Sequence, residues 1–278
     1  MRARLSIYDE PKIDCHNHVF DPRRFPYSPT ALYAPTGGDL GTAAQLFEVF
    51  GAYGVRHALV VQPNSGYDLD NRCLLDALGQ AAGRFRGMAI VPVDVSRSDL
   101  ERLRSVGVLG VTFNVPVVGP DYFADPAGLF AELADLDMFI DVQVEGDQLV
   151  ALAPLLERAE VRVLIDHCGR PIPQAGLGQA GFSALLRLAD TRRALIKLSG
   201  FAKFSAQPYP YRDVWPYVEL LTGTFGFDAC IWGSDWPFLR APERIDYGPL
   251  LKLVERLVPE PENREKVLWA TAKRVFGF

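Results

Sequence analysis

The sequence holds only four histidines. Two of them, His16 and His18, lie one residue apart within Ile13-Asp14-Cys15-His16-Asn17-His18-Val19-Phe20. On a strand, residues two apart point to one face. Both imidazoles would then enter one space, with Asp14 behind them. A polar row in an apolar strand is costly unless it is paired or used, so the pair reads either as satisfied core histidines or as part of a site. A third histidine stands in Asp166-His167-Cys168-Gly169-Arg170-Pro171, and a carboxylate between two tryptophans in Trp232-Gly233-Ser234-Asp235-Trp236-Pro237. Imidazoles and a carboxylate suit proton transfer, oxyanion stabilisation or the ligation of one metal ion. For Asp235 the alternative is a helix N-cap, since Pro237 follows. The fourth histidine, His57, precedes an apolar run and reads as structural or solvent-exposed.

Eight short apolar runs could position these groups: 13–20, 58–62, 87–93, 108–114, 138–144, 161–167, 194–200 and 229–235. Most are Val/Ile/Leu-rich without clean polar alternation, as strands buried on both faces should be. The segments between them read as helices. Asp125-Pro126 looks like an N-cap and first helical residue, Ser98 begins a short charged helix, Asp147 opens a leucine-rich one, and Pro261 starts the last. Eight strands alternating with helices in 278 residues predict an α/β fold, a (β/α)8 TIM barrel spanning 1–278 as one domain. A doubly wound sheet is the competitor, but no glycine-rich dinucleotide fingerprint follows any strand. In a barrel, catalytic groups come from the C-terminal strand ends. That rule gathers His16, His18, His167 and Asp235 at one mouth and puts His57 at the opposite end. It adds Asn114, Gln143, Arg170 and Lys203 as substrate-binding candidates, with Trp236 and, from the long loop 21–41, Tyr33.

The chain is 49% hydrophobic and 23% charged, with net charge -5, which argues against nucleic acid as a partner. No apolar run reaches membrane-spanning length, and Met1 to Lys12 has no apolar core of a secretory signal. The four cysteines (Cys15, Cys73, Cys168, Cys230) are scattered. Three fall in expected buried strands and read as packing residues, which suits a reducing cytoplasm.

Four segments, Asp14-Cys15-His16-Asn17-His18-Val19-Phe20, Asp166-His167-Cys168-Gly169-Arg170-Pro171, Lys197-Leu198-Ser199-Gly200 and Gly233-Ser234-Asp235-Trp236-Pro237, resemble the amidohydrolase superfamily. More narrowly they resemble its branch of lactone hydrolases, which includes pyrone dicarboxylate lactonase, L-fuconolactonase and sulfomuconolactone hydrolase. The closing helix departs from relatives in having Thr271 where many have Asn. The resemblance implies the barrel, Asp235 as general base, and His16, His18 and His167 as its partners.

Metal-dependent members of that superfamily use H-x-H and the strand-eight Asp, and many add a bridging group on strand four and a His on strand five. Thr112, Asn114 and Gln143 stand there instead, which argues against a binuclear centre. No obligatory cofactor is expected. One zinc on His16, His18 and Asp235, joined by His167, is the alternative. Without metal, a carboxylate with an ordinary pKa of about 3.9 must activate a water of pKa ~15.7. So weak a base suits a lactone better than an amide. The expected reaction is therefore opening of a sugar-acid or muconate-type lactone: Asp235 takes the proton from water, and the histidines hydrogen-bond the carbonyl. Thr112 and Val118 replace two arginines that hold the dicarboxylate in pyrone dicarboxylate lactonase. Arg170 is a candidate for one carboxylate, with helix capping or plain exposure as alternatives. Phe20, Tyr33, Phe113, Phe204, Tyr209, Tyr211, Trp232, Trp236 and Phe238 are expected to give the mouth an aromatic wall. A zinc-dependent decarboxylase is the competing enzyme class. Which lactone, and whether the chain forms a homo-oligomer, are left open.

Overall fold

A computed structural model describes residues 6–123 and 125–278. The expected runs form eight strands: β1 Lys12–Asn17, β2 Val55–Val61, β3 Phe85–Ala89, β4 Val108–Asn114, β5 Phe139–Gln143, β6 Arg162–Ile165, β7 Ala194–Leu198 and β8 Cys230–Trp232. Each pairs in parallel with its sequence neighbour, in the order β1 to β8. The ring closes just past the ends of β8 and β1, where Asp235 N–H donates to His16 O at 2.7 Å and His18 N–H to Trp236 O at 2.8 Å. These two bonds give the edge strands partners, which barrels require.

Two apolar layers hold the barrel. Outward side chains such as Val60, Val111, Val142, Ile165 and Ile196 pack under the helices. Inward ones, Ile13, Cys15, Leu59, Met88, Phe139, Leu164, Leu195 and Ile231, fill the interior towards the N-terminal end. The final helix, Thr271–Phe276, seals that end with Ala272 and Phe276. His57 lies there too, its ring stacked on Phe278 at 4.7 Å.

Several expected boundaries move. The charged helix is Arg97–Ser105, capped by Ser96 rather than begun by Ser98, and the next long helix is Ala127–Asp135, with Pro126 as its cap. Strands β6 and β8 stop short because the chain turns sharply at their ends. His167, Cys168 and Arg170 have φ of 51°, 58° and 43°, and Asp235 has φ of 64°. Left-handed backbone at non-glycine residues costs of order 1–3 kcal/mol each and clusters where geometry is functional. Cys168 thus sits in a turn and Cys73 in the helix Arg72–Gln80; all four cysteines are buried and free. No helix among the described residues is long and apolar enough to cross a membrane.

Candidate active site

The register of β1 shifts between Asp14 and Asn17, so the simple two-residue alternation fails. Asp14 does not stand behind the histidines. Its carboxylate accepts from Tyr247 Oη at 2.8 Å, Ser234 N at 3.0 Å and His16 N at 3.2 Å. It ties β1 to the turn that carries Asp235.

The structure brings His16, His18, His167 and Asp235 together. Their Nε2 atoms lie 3.7, 3.7 and 3.8 Å from a single oxygen, Asp235 Oδ1. That oxygen is buried and has no hydrogen-bond partner. The other oxygen, Oδ2, lies 3.1 Å from Lys203 Nζ. Burial alone would raise the Asp235 pKa, but the Lys203 charge, then His167, His18 and His16, outweigh it and hold the carboxyl far below the usual range. Asp235 is therefore ionised at neutral pH.

The remaining ring nitrogens settle where two of the protons sit. His18 Nδ1 donates to Val61 O at 2.8 Å. His16 Nδ1 has two neighbours, Asp166 Oδ1 at 3.2 Å and the Lys197 ammonium at 3.4 Å, and as the Nδ1–H tautomer it donates to the nearer carboxylate. A neutral ring carries one proton, so both present bare Nε2 lone pairs to Asp235. A lone pair cannot donate to a carbonyl, so in this tautomer His16 and His18 take up the expected hydrogen-bonding role only when doubly protonated. His167 Nδ1 lies 2.9 Å from Ser199 Oγ, which can give or take a proton. Of the three, His167 alone is free to carry its proton on Nε2.

The donor set fits one metal ion. His16, His167 and Asp235 offer ligand atoms within 4.8 Å of one another. Tetrahedral zinc, with bonds of about 2.0–2.1 Å, places its ligand atoms ~3.4 Å apart, close to the spacings about Asp235 Oδ1. The orphaned oxygen and two bare nitrogens are the chemistry such an ion would satisfy.

Beneath this set lies a buried ionic cluster that sequence reasoning did not assign to the site. Lys197 Nζ is 2.8 Å from Asp141 Oδ1 and 2.8 Å from Asp166 Oδ1. Burial and the neighbouring Asp166 push the Asp141 carboxyl well up. Burial opposes the ionised form of Asp166 too, but His16 and Lys197 prevail and hold it well below its ordinary value. A lysine inside the apolar run Ala194–Leu198 was the available signal.

Above the four residues opens a cavity of about 690 Å³. Asn114, Gln143, Arg170 and Lys203 line it, as do Gln62, Asn64 and Thr112. Arg170 is paired with Glu145 at 2.7 Å, and Asn114 Nδ2 donates to Asn64 Oδ1 at 2.8 Å. Two expected residues are not on the wall. Trp236 lays its ring against Gly41, where a Cβ would fall 2.2 Å from it. Tyr33 donates its hydroxyl to Asp39 and takes the Arg240 guanidinium over its ring at 5.4 Å. The aromatic wall is also thinner than expected: of the nine candidates, Trp232 and Phe238 line the cavity. Phe113 instead stacks on Phe123 at 3.9 Å and Phe20 on Tyr67 at 5.9 Å. Amides and hydroxyls share the wall with aliphatic side chains such as Val61, Val117, Leu239 and Ile245.

Residues 13–278 match the amidohydrolase family. The chain belongs to that family. It is 32% identical over 274 residues to the 4-sulfomuconolactone hydrolase of Rhizobium radiobacter, covering 95% of this chain and 89% of the relative. It is 27% identical over 280 residues to a protein of Comamonas testosteroni named as a 2-pyrone-4,6-dicarboxylate hydrolase, covering 95% and 89%. Among solved structures, a probable 2-pyrone-4,6-dicarboxylic acid hydrolase of Acinetobacter baumannii, with citric acid bound, superposes with a TM-score of 0.88 at 26% identity, covering 96% of this chain and 99% of that one. This amidohydrolase thus keeps its family's barrel over nearly all its length.

The buried histidines make acid stability of this amidohydrolase testable. Burial lowers the His16 pKa from 6.5 to about 4. Between those values the unfolded chain binds the proton and the folded one does not. The contribution is therefore whole above pH 6.5 and is lost as pH falls towards 4, amounting to about 3 kcal/mol. Asp14 and Asp141, whose values burial raises, act in the opposite direction. The difference between wild type and His16→Gln isolates the histidine. Urea midpoints across this range should fall more steeply with acid in the wild type; parallel curves would reject the assignment.

Proposed function

We propose that this amidohydrolase opens a lactone by hydrolysis. The observation that carries the reading is the ionised, unpartnered Asp235 Oδ1 at the floor of a polar cavity, ringed by three imidazole nitrogens. Asp235 takes a proton from the attacking water, and the protonated acid returns it to the leaving ring oxygen. Lys203 holds the carboxylate through Oδ2 and keeps Oδ1 free for the water. His167 donates to the carbonyl oxygen as charge develops there. Arg170 binds a substrate carboxylate in competition with Glu145. The relatives named as acting on a sulfomuconolactone and a pyrone dicarboxylate support ring-ester chemistry. Amides at Asn64, Asn114 and Gln143 suit a hydroxylated lactone better than a flat dicarboxylate.

A second reading keeps the reaction and adds one divalent ion. The two bare Nε2 atoms favour it. His16, His18, His167 and Asp235 would hold the ion, which when bound polarises the carbonyl and lowers the pKa of water. The test is a panel of sugar-acid and muconate-derived lactones followed by acid release, on protein of measured metal content. Ring opening of at least one lactone is expected. Full turnover at negligible metal supports the first reading; loss on chelation restored by zinc supports the second. Release of carbon dioxide from a carboxylated substrate, with no lactone opened, would sink both in favour of a decarboxylase.

A further inference from the structure

The Lys197 cluster has a geometry of its own. His16, Asp141 and Asp166 offer ligand atoms within 4.8 Å of one another, close enough for a metal ion to join them. The space is taken. Lys197, fully buried on β7, puts its ammonium 2.8 Å from each of Asp141 Oδ1 and Asp166 Oδ1 and 3.4 Å from His16 Nδ1. Thr112 Oγ1 adds a bond to Asp141 Oδ2 at 3.4 Å. Four strand ends, from β1, β5, β6 and β7, thus meet on one nitrogen.

A metal ion and an ammonium answer the same carboxylates, but they treat His16 differently. A metal would claim the Nδ1 lone pair and push the ring proton to Nε2. An ammonium only donates; its protons go to the carboxylate oxygens at 2.8 Å, and its longer 3.4 Å approach to the ring leaves Nδ1–H to the nearer Asp166 Oδ1 at 3.2 Å. His16 is thereby left as one neutral tautomer, with its lone pair turned to Asp235 Oδ1 at 3.7 Å.

We propose that Lys197 is a positioning residue, a built-in cation that occupies the place of a second metal ion and fixes His16 as the Nδ1–H tautomer. The kinetic readout below rests on the lactonase reading; the spectroscopic and binding readouts do not, so the two can fail separately.

The first measurement uses the wild-type protein labelled with 15N-histidine. Long-range 15N–1H correlation near neutral pH should show His16 protonated on Nδ1; a ring protonated on Nε2 alone overturns the proposal. The second uses Lys197→Met, which keeps the chain length and removes the charge. It should lower kcat about 10–100-fold with little change in KM, and mix the His16 tautomers. Should the two exposed carboxylate charges unfold that variant, Asp141→Asn/Lys197→Met restores the balance and should show the same loss. Wild-type kcat and an unchanged tautomer in whichever variant folds overturn the proposal. Third, zinc titration of Lys197→Ala by calorimetry should show one more ion per chain than wild type. Equal stoichiometry refutes the stand-in role.

Discussion

Asp235→Asn should abolish turnover and leave the fold intact. The amide has the carboxylate's shape but cannot accept a proton from water, so the expected loss in kcat is about 10²–10⁴-fold, the range general-base catalysis supplies. The fold should survive for a local reason. The closing bond at this residue is made by its backbone N–H to His16 O at 2.7 Å, which the substitution keeps. Its φ of 64° is also one that asparagine adopts as readily as aspartate. Lys203 loses a charge partner, so some stability goes with it, but Lys203 is itself partly solvated and is not left as a buried unpaired charge. Circular dichroism should match the wild type, with a lower melting temperature, while lactone opening disappears. A near-normal rate would remove Asp235 as the base.

Gly233→Ala should be nearly as damaging, by a different route. A Cβ on Gly233 would lie 2.6 Å from His16 Cβ and 2.7 Å from His16 N. Neither neighbour is the free end of a side chain, so β8 and β1 must part. The parting strains Ser234 N–H to Asp14 at 3.0 Å and both closing bonds. Misplacing a catalytic group by about 1 Å costs on the order of 10²-fold. A loss of that size in kcat/KM is expected, with a lower melting temperature and secondary structure retained. Wild-type kinetics would mean that the seam tolerates a methyl group and that its tightness does not set the site.

Much of this was legible in the sequence. Buried parallel strands announce themselves as apolar runs, and all eight runs overlap a strand. Once the fold is a barrel, strand ends gather His16, His18, His167 and Asp235 without further information. What escaped was local and non-sequential. The register shift in β1 turned Asp14 away from the histidines, and no propensity marks such a shift. Left-handed turns at His167 and Asp235 are invisible because neither residue is glycine. The aromatics were misplaced because their apolar area draws them under helices, as Phe113 and Phe20 show. The role of Lys197 escaped because its partners Asp141 and Asp166 belong to β5 and the turn after β6, and only the closed barrel brings them to it.

That closure has a consequence for how the enzyme comes into being. The two histidines that open the chain and the carboxylate near its end are joined across a span of more than two hundred residues by Asp235 N–H to His16 O and His18 N–H to Trp236 O. During synthesis the ribosome releases His16 and His18 some two hundred residues before Trp236. Until then neither histidine has a base, and Asp14 lacks Ser234 and Tyr247, two of its hydrogen-bond donors. A nascent or clipped chain that stops before residue 235 keeps the partners of the two Nδ1 atoms, Val61 O and Asp166 Oδ1, but has no carboxylate facing Nε2. If the proposed base is Asp235, activity should appear only once β8 and the turn after it are in place, and chains cut before that turn should open no lactone.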